Sequence, residues 1–192
     1  MKFLSLALIA VFAAFGLRAA DAPELPVPAT QKLSIVNSRS LPGTIELTET
    51  EKDGRKIQSF RIRFVPDGKA KFFRAEIVMR PPLNAEAYDT FSFRWKSSAA
   101  LSGNAAVFSI LDSFWKSSYN ATLPDAAKVK LLEAGKEYPC TADVTTQWGR
   151  PAKLNRSSLG RFNFTVNLPK FEAGKEVVLE ISDMKFTKTK GL

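Results

Sequence analysis

Histidine is absent from the 192-residue chain. Without an imidazole there is no Ser-His-Asp or Cys-His nucleophile, and no histidine-based metal site. Cysteine is almost absent as well. Cys140 stands alone, so the fold has no intrachain disulfide and zinc has no thiolate set. Acidic residues are in deficit, 19 against 28 basic ones, which gives a formal charge of +9. That balance suits an anionic polysaccharide, an anionic lipid or an acidic protein as partner, and it equally serves solubility. No apolar run reaches the roughly 20 residues that a membrane-spanning helix needs.

The one long apolar run opens the chain. Met1-Lys2-Phe3 carries a positive charge, Leu4 to Leu17 is apolar apart from Ser5 and Gly16, and Ala19 and Ala20 follow. This is the layout of a secretory signal peptide, expected over residues 1–20. No cysteine follows the apolar run, so a lipoprotein anchor is not expected. The expected location is therefore secreted or periplasmic, with Lys2 and Arg18 lost from the charge. Residues 21–32, with three prolines between Asp21 and Thr30, read as an extended tether. Residues 33–192 then form a single domain large enough for its own core.

Within that domain the dominant period is two. Phe60, Ile62 and Phe64 share a face, with Arg61 and Arg63 on the other. Phe73, Ala75, Ile77 and Met79 oppose Arg74, Glu76 and Arg80. Phe91, Phe93 and Trp95 alternate with Ser92, Arg94 and Lys96, and Phe162, Phe164 and Val166 alternate with Arg161, Asn163 and Thr165. Gly- and Pro-containing turns punctuate the runs, as at 52–56, 66–69 and 101–104. The pattern predicts an all-β, antiparallel two-sheet sandwich. Only residues 125–136 carry any helical character, and the β-like stretch after them leaves helix and strand both open.

Three segments, AYDTFSFRWKSS, AAVFSILDSFWKSSYNATLP and SLGRFNFTVNLPKFEAGKEVVLEISDMKF, resemble jelly-roll carbohydrate-binding modules and galactose-binding-like domains. The likeness lies in Tyr88-Asp89 before an alternating strand, in Asp112 closing a strand before a turn, and in the last strand around Asp183. It implies a jelly roll and a polysaccharide or other glycan as partner. It also implies a structural calcium, held by Asp183 with Glu46 or Glu49 as the second acidic ligand. No other cofactor is expected. Jelly rolls also host glycosidases and lyases, but the E-x-D-x-x-E strand of laminarinase-like enzymes is missing, and a lyase would have to use tyrosine with arginine.

Two sets of residues are candidate ligand contacts. Phe114, Trp115 and Tyr119 fall in what reads as a turn between strands, and Trp148 in an irregular segment; each is either a stacking platform for a sugar ring or a cover for the sandwich edge. Trp95 belongs to the core face. Arg61, Arg63, Arg74, Arg80, Arg94 and Lys96 all oppose the phenylalanines. If their strands are neighbours they form a basic stripe, facing a uronate or sulfate, or paired internally with Glu46, Glu76 and Glu180. The expectation is an exported, non-catalytic carbohydrate-binding sandwich. The alternative is a structural or protein-interaction domain of the cell envelope with no sugar site.

Overall fold

The computed structural model describes residues 24–27, 31–37, 41–52, 54–102, 105–123 and 131–189. The expected signal peptide lies outside the described residues, as do residues 124–130. Leu131–Leu132 is strand.

The described chain forms strands β1 (Glu24–Pro26), β2 (Gln31–Asn37), β3 (Gly43–Lys52), β4 (Arg55–Phe64) and β5 (Phe72–Leu83). It continues with β6 (Thr90–Ser97), β7 (Leu101–Ser102), β8 (Ala106–Asp112), β9 (Ser118–Leu123) and β10 (Leu131–Leu132). Last come β11 (Glu137–Asp143), β12 (Thr146–Gln147), β13 (Arg150–Pro151), β14 (Leu159–Asn167) and β15 (Val177–Thr187). One large sheet has the order β11-β6-β15-β4-β3, with β1 on β15; the other runs β2-β5-β14-β8-β9. Every pairing is antiparallel. Consecutive long strands cross between sheets, β4 to β5 to β6 to β8, so sheet neighbours are distant in sequence. This is a jelly-roll β-sandwich.

The alternating phenylalanines meet between the sheets. Phe91 of the first sheet lies 5.0 Å from Phe108 and 5.3 Å from Phe162 of the second, and 4.8 Å from Phe186 of its own. Phe60, Phe64, Phe73, Phe108, Phe162, Phe164 and Trp95 are at most 2% exposed. Each such side chain contributes about 1.5–3 kcal/mol by leaving water, which is how a chain without disulfides holds together.

The tether reading needs correction. Glu24–Pro26 pairs with Lys185–Thr187, and Val27 is buried, its N–H donating to the Met184 carbonyl at 3.0 Å. The reason lies in β15. It pairs with β4 only up to Ser182, a bulge falls between Ser182 and Lys185, and β1 takes up the edge that β4 leaves.

Candidate functional site

Two outer faces are available, and their charges are arranged differently. On the first sheet, residues in register across five strands are Glu46, Arg61, Glu180, Lys96 and Glu137, alternating in sign. Arg61 reaches Glu180 at 2.8 Å, Lys96 reaches it at 3.7 Å, and Arg94 reaches Glu137 at 2.6 Å. Arg63 lies 3.8 Å from Glu176. These pairs are partly exposed and individually worth little, but together they neutralise the face. The single basic stripe is therefore not formed. β4 and β6 flank β15, and its Glu180 sits between their cations, whereas Arg74 and Arg80 lie on β5 in the other sheet.

The calcium ligands are not brought together either. Glu46 sits in that charge row, while Asp183 sits at the bulge with φ 53°, 3.7 Å from Lys185. Asp183 shares a cavity with Glu49 and with the cation of Lys56. No group of three or more acidic, cysteine or histidine side chains fit for a metal occurs among the described residues. Calcium wants six to eight oxygens, and this donor set does not fit it.

The outer face of the second sheet combines a few charged groups with neutral polar ones. Glu76, Asn163, Ser109 and Asn120 stand in register across β5, β14, β8 and β9. Ser109 donates to the Asn120 side-chain oxygen at 2.6 Å. Asn163 is 4% exposed, and its Oδ1 has no hydrogen-bond partner. A buried carbonyl in that state costs about 1–3 kcal/mol, and with essentially none of it open to solvent the cost is borne inside the sheet. One step along the strands, Arg161 donates to Glu76 at 2.6 Å, and its guanidinium carbon lies 3.7 Å from the centre of the Trp115 ring.

Trp115 is placed by the β8–β9 tip. Asp112 Oδ1 accepts from the N–H groups of Phe114 (2.9 Å) and Lys116 (3.0 Å), and Ser117 donates to Oδ2. Burial raises the Asp112 pKa, but the Ser117 hydroxyl and the Lys116 and Phe114 amides outweigh it, and the net shift is below the ordinary 3.8. Trp115 thereby takes φ 62°, a left-handed conformation unfavourable for a bulky L-residue. Behind the tip, Gly160 makes the approach possible: a Cβ there would meet the Ser113 Cα at 2.5 Å. Trp115 remains 58% exposed and Phe114 67%. Tyr119, by contrast, is not part of the tip. It lies in β9 on the inward face with Ile110 and is buried, and burial together with Asp143 pushes its phenol above the ordinary value.

Trp148 is the most exposed large apolar side chain described, at 85%. It and Gly149 form the two-residue turn of the β12–β13 hairpin, with φ 52° and 73°, the primed geometry that normally selects Asn-Gly. Its indole lines a cleft of about 450 Å³ at the sandwich edge between β9 and β11, together with Tyr119, Ala121, Cys140, Ala142 and Asn120. Asn120 thus belongs to both the polar row and this cleft. Sequence reasoning picked out the tryptophans but not the row. An asparagine between two core phenylalanines, in a strand where asparagine is disfavoured, was the available signal.

No family model matches the sequence, and no curated protein sequence does. Solved structures do. A family 11 carbohydrate-binding module from Clostridium thermocellum, in complex with a β-1,3-1,4-mixed-linked tetrasaccharide, superposes with TM-score 0.55 at 11% identity over 86% of this chain and 96% of that one. A solution structure of CtCBM11 gives 0.53 at 9% identity, over 90% and 99%. An exo-β-agarase gives 0.56 at 9% identity, over 86% of this chain but 24% of that chain. At these identities the likeness establishes the fold: the chain is a jelly roll of the kind found in carbohydrate-binding modules.

Proposed function

We propose that the protein is an exported, non-catalytic domain that binds polysaccharide on the outer face of the β2-β5-β14-β8-β9 sheet. The observation that carries this reading is the polar row Glu76, Asn163, Ser109, Asn120, half-buried at Ser109 and Asn120 and flanked by the exposed ring of Trp115. Three intervals between four strands span roughly 14 Å, enough for several sugar rings laid across the strands. Trp115, fixed against Arg161 on one face, offers its open face to a pyranose beside the row. Trp148 offers another at the Asn120 end. The apolar leader supports a location outside the cytoplasm. The absence of histidine and the burial of Tyr119, with Tyr138 accepting from the Glu133 amide at 3.0 Å, support the non-catalytic reading.

The test is affinity electrophoresis of the mature protein through gels cast with soluble neutral and acidic polysaccharides. Retardation on at least one of them, relieved by Trp115→Ala, is the expected result. Free migration through every gel would leave the envelope structural or interaction domain as the better reading.

A further inference from the structure

We infer that the polysaccharide bound here is anionic, and that Arg74 reads its carboxylate or sulfate groups. The inference rests on the proposed glycan site and specifies its ligand. On the opposite sheet every cation of the expected stripe faces a carboxylate within 4 Å: Arg61 and Lys96 on Glu180, Arg94 on Glu137, Arg63 on Glu176. On the glycan face Arg161 is satisfied in the same way by Glu76. Arg74 is different. It stands one register step from the Glu76–Asn163 positions, opposite Thr165. Its Nε donates to the Thr165 hydroxyl at 3.0 Å, and its guanidinium carbon lies 5.5 Å from the centre of the Phe72 ring.

Among the described residues no carboxylate pairs with it: those two contacts orient the guanidinium without neutralising it, and neither is made by the two terminal nitrogens. A planar fork held in that way is pre-organised to take an anionic group by two parallel hydrogen bonds. Lys116, exposed beside Trp115 on the tip, adds a second cation near the same face. A neutral glycan would leave Arg74 with nothing to discharge, whereas a uronate or a sulfate ester would meet it while neighbouring hydroxyls reach Ser109 and Asn120. The net positive charge, +9 for the full chain and +7 once Lys2 and Arg18 leave with the leader, adds to the approach rate of such a polymer.

Calorimetric titration of the mature protein with alginate and polygalacturonate (carboxylate), ι-carrageenan (sulfate), and laminarin and agarose (neutral) tests this. The expected result is binding to an acidic polymer that weakens with added salt. Arg74→Gln should weaken it by about tenfold or more, as for loss of a charged hydrogen-bonding partner. Arg61→Gln removes the same charge from the other sheet and should change it by no more than about twofold. The carboxylate and sulfate arms identify which anion is read. Binding to neutral polymers alone overturns the inference while leaving the glycan site standing. Equal losses from the two arginine variants also overturn it, since attraction would then be to net charge. Failure to bind any of the five polymers overturns both. Unchanged thermal melts of the two variants exclude unfolding as the cause.

Discussion

Truncating Trp115 to alanine separates a stacking platform from a cover for the tip. The indole is 58% exposed, and since a buried tryptophan removes roughly 150–250 Å² from water, on the order of 100 Å² is open to a ligand. One sugar ring covers about half of that and hides a similar area of its own. Counting only part of the sugar face as apolar, at ~25 cal/mol per Å² the stack is worth about 1.2–2.5 kcal/mol, or roughly 8- to 70-fold in Kd. The substitution is clean in two respects. Alanine keeps a Cβ, so the backbone cost of φ 62° is the same before and after. Within the protein, truncation removes the stacking of Arg161 on the indole, worth about 0.5–1 kcal/mol at an exposed site, a melting shift of no more than about 4 °C. Titration calorimetry on the polymer that retards the wild type reads the affinity, and Trp115→Phe should recover most of it. An affinity within about twofold of wild type in a folded alanine variant would refute the platform, because covering so much apolar surface has to show at that size.

Three further outcomes follow from the local geometry. Trp148→Asn supplies the Asn-Gly pair that the primed turn prefers, so the melting temperature should rise by about 2–4 °C for ~1 kcal/mol while binding weakens; differential scanning calorimetry and titration read the two effects. Gly160→Ala drives a Cβ against the Ser113 Cα, which should cost about 1–3 kcal/mol in denaturant melts and speed hydrogen exchange in residues 113–117 before the core. Asp112 has its folded pKa below 3.8, so its contribution to the tip is complete above about pH 4 and is lost as pH falls through that lower value. Trp115 fluorescence, read as the difference between wild type and Trp115→Phe, should be flat from pH 7 to about 4 and change below it. In Asp112→Asn that acid transition should be missing.

The core was legible because phenylalanine at every second position has one reading in a sandwich. Phe91, Phe93 and Trp95, and Phe162 and Phe164, all turned inward as their periodicity requires. Which strand lies beside which was not legible. Periodicity assigns a residue to a face but not to a sheet, so the arginines of β4, β5 and β6 read as one stripe when the chain crosses between sheets at each step. The same limit hid the polar row, whose members come from residues 76, 109, 120 and 163 and meet only through strand register. Tyr119 was misplaced by a single pleat. Its strand begins at Ser118, and alternation then carries the ring inward. Glu24–Pro26 looked like linker because prolines are scarce in strands, yet an edge strand tolerates them.

What distinguishes a sugar-binding domain from a structural one is the stability this chain forgoes around the polar face. An L-residue in the left-handed region costs about 1–2 kcal/mol, and both exposed tryptophans occupy it. Glycine or asparagine at either position would relieve that cost and remove apolar surface from water. Asp183 takes the same conformation at the β15 bulge, so what sets the tryptophans apart is a large apolar ring held in it with most of its surface in water. The first sheet shows a contrasting face: charge alternates across five strands, and ion pairs join four of them, β4, β15, β6 and β11. Among the described residues the second sheet leaves a buried carbonyl oxygen unmet, a guanidinium oriented but not neutralised, and the Trp115 indole in water, and the β12–β13 hairpin beside its Asn120 end leaves a second indole in water. On the proposed reading, one ligand chemistry answers the accessible groups: ring C–H faces cover the indoles, hydroxyls meet Ser109 and Asn120, and an acidic substituent meets Arg74. An apolar protein surface would cover the indoles but leave the Arg74 guanidinium unpaired, at a cost that grows once water is excluded.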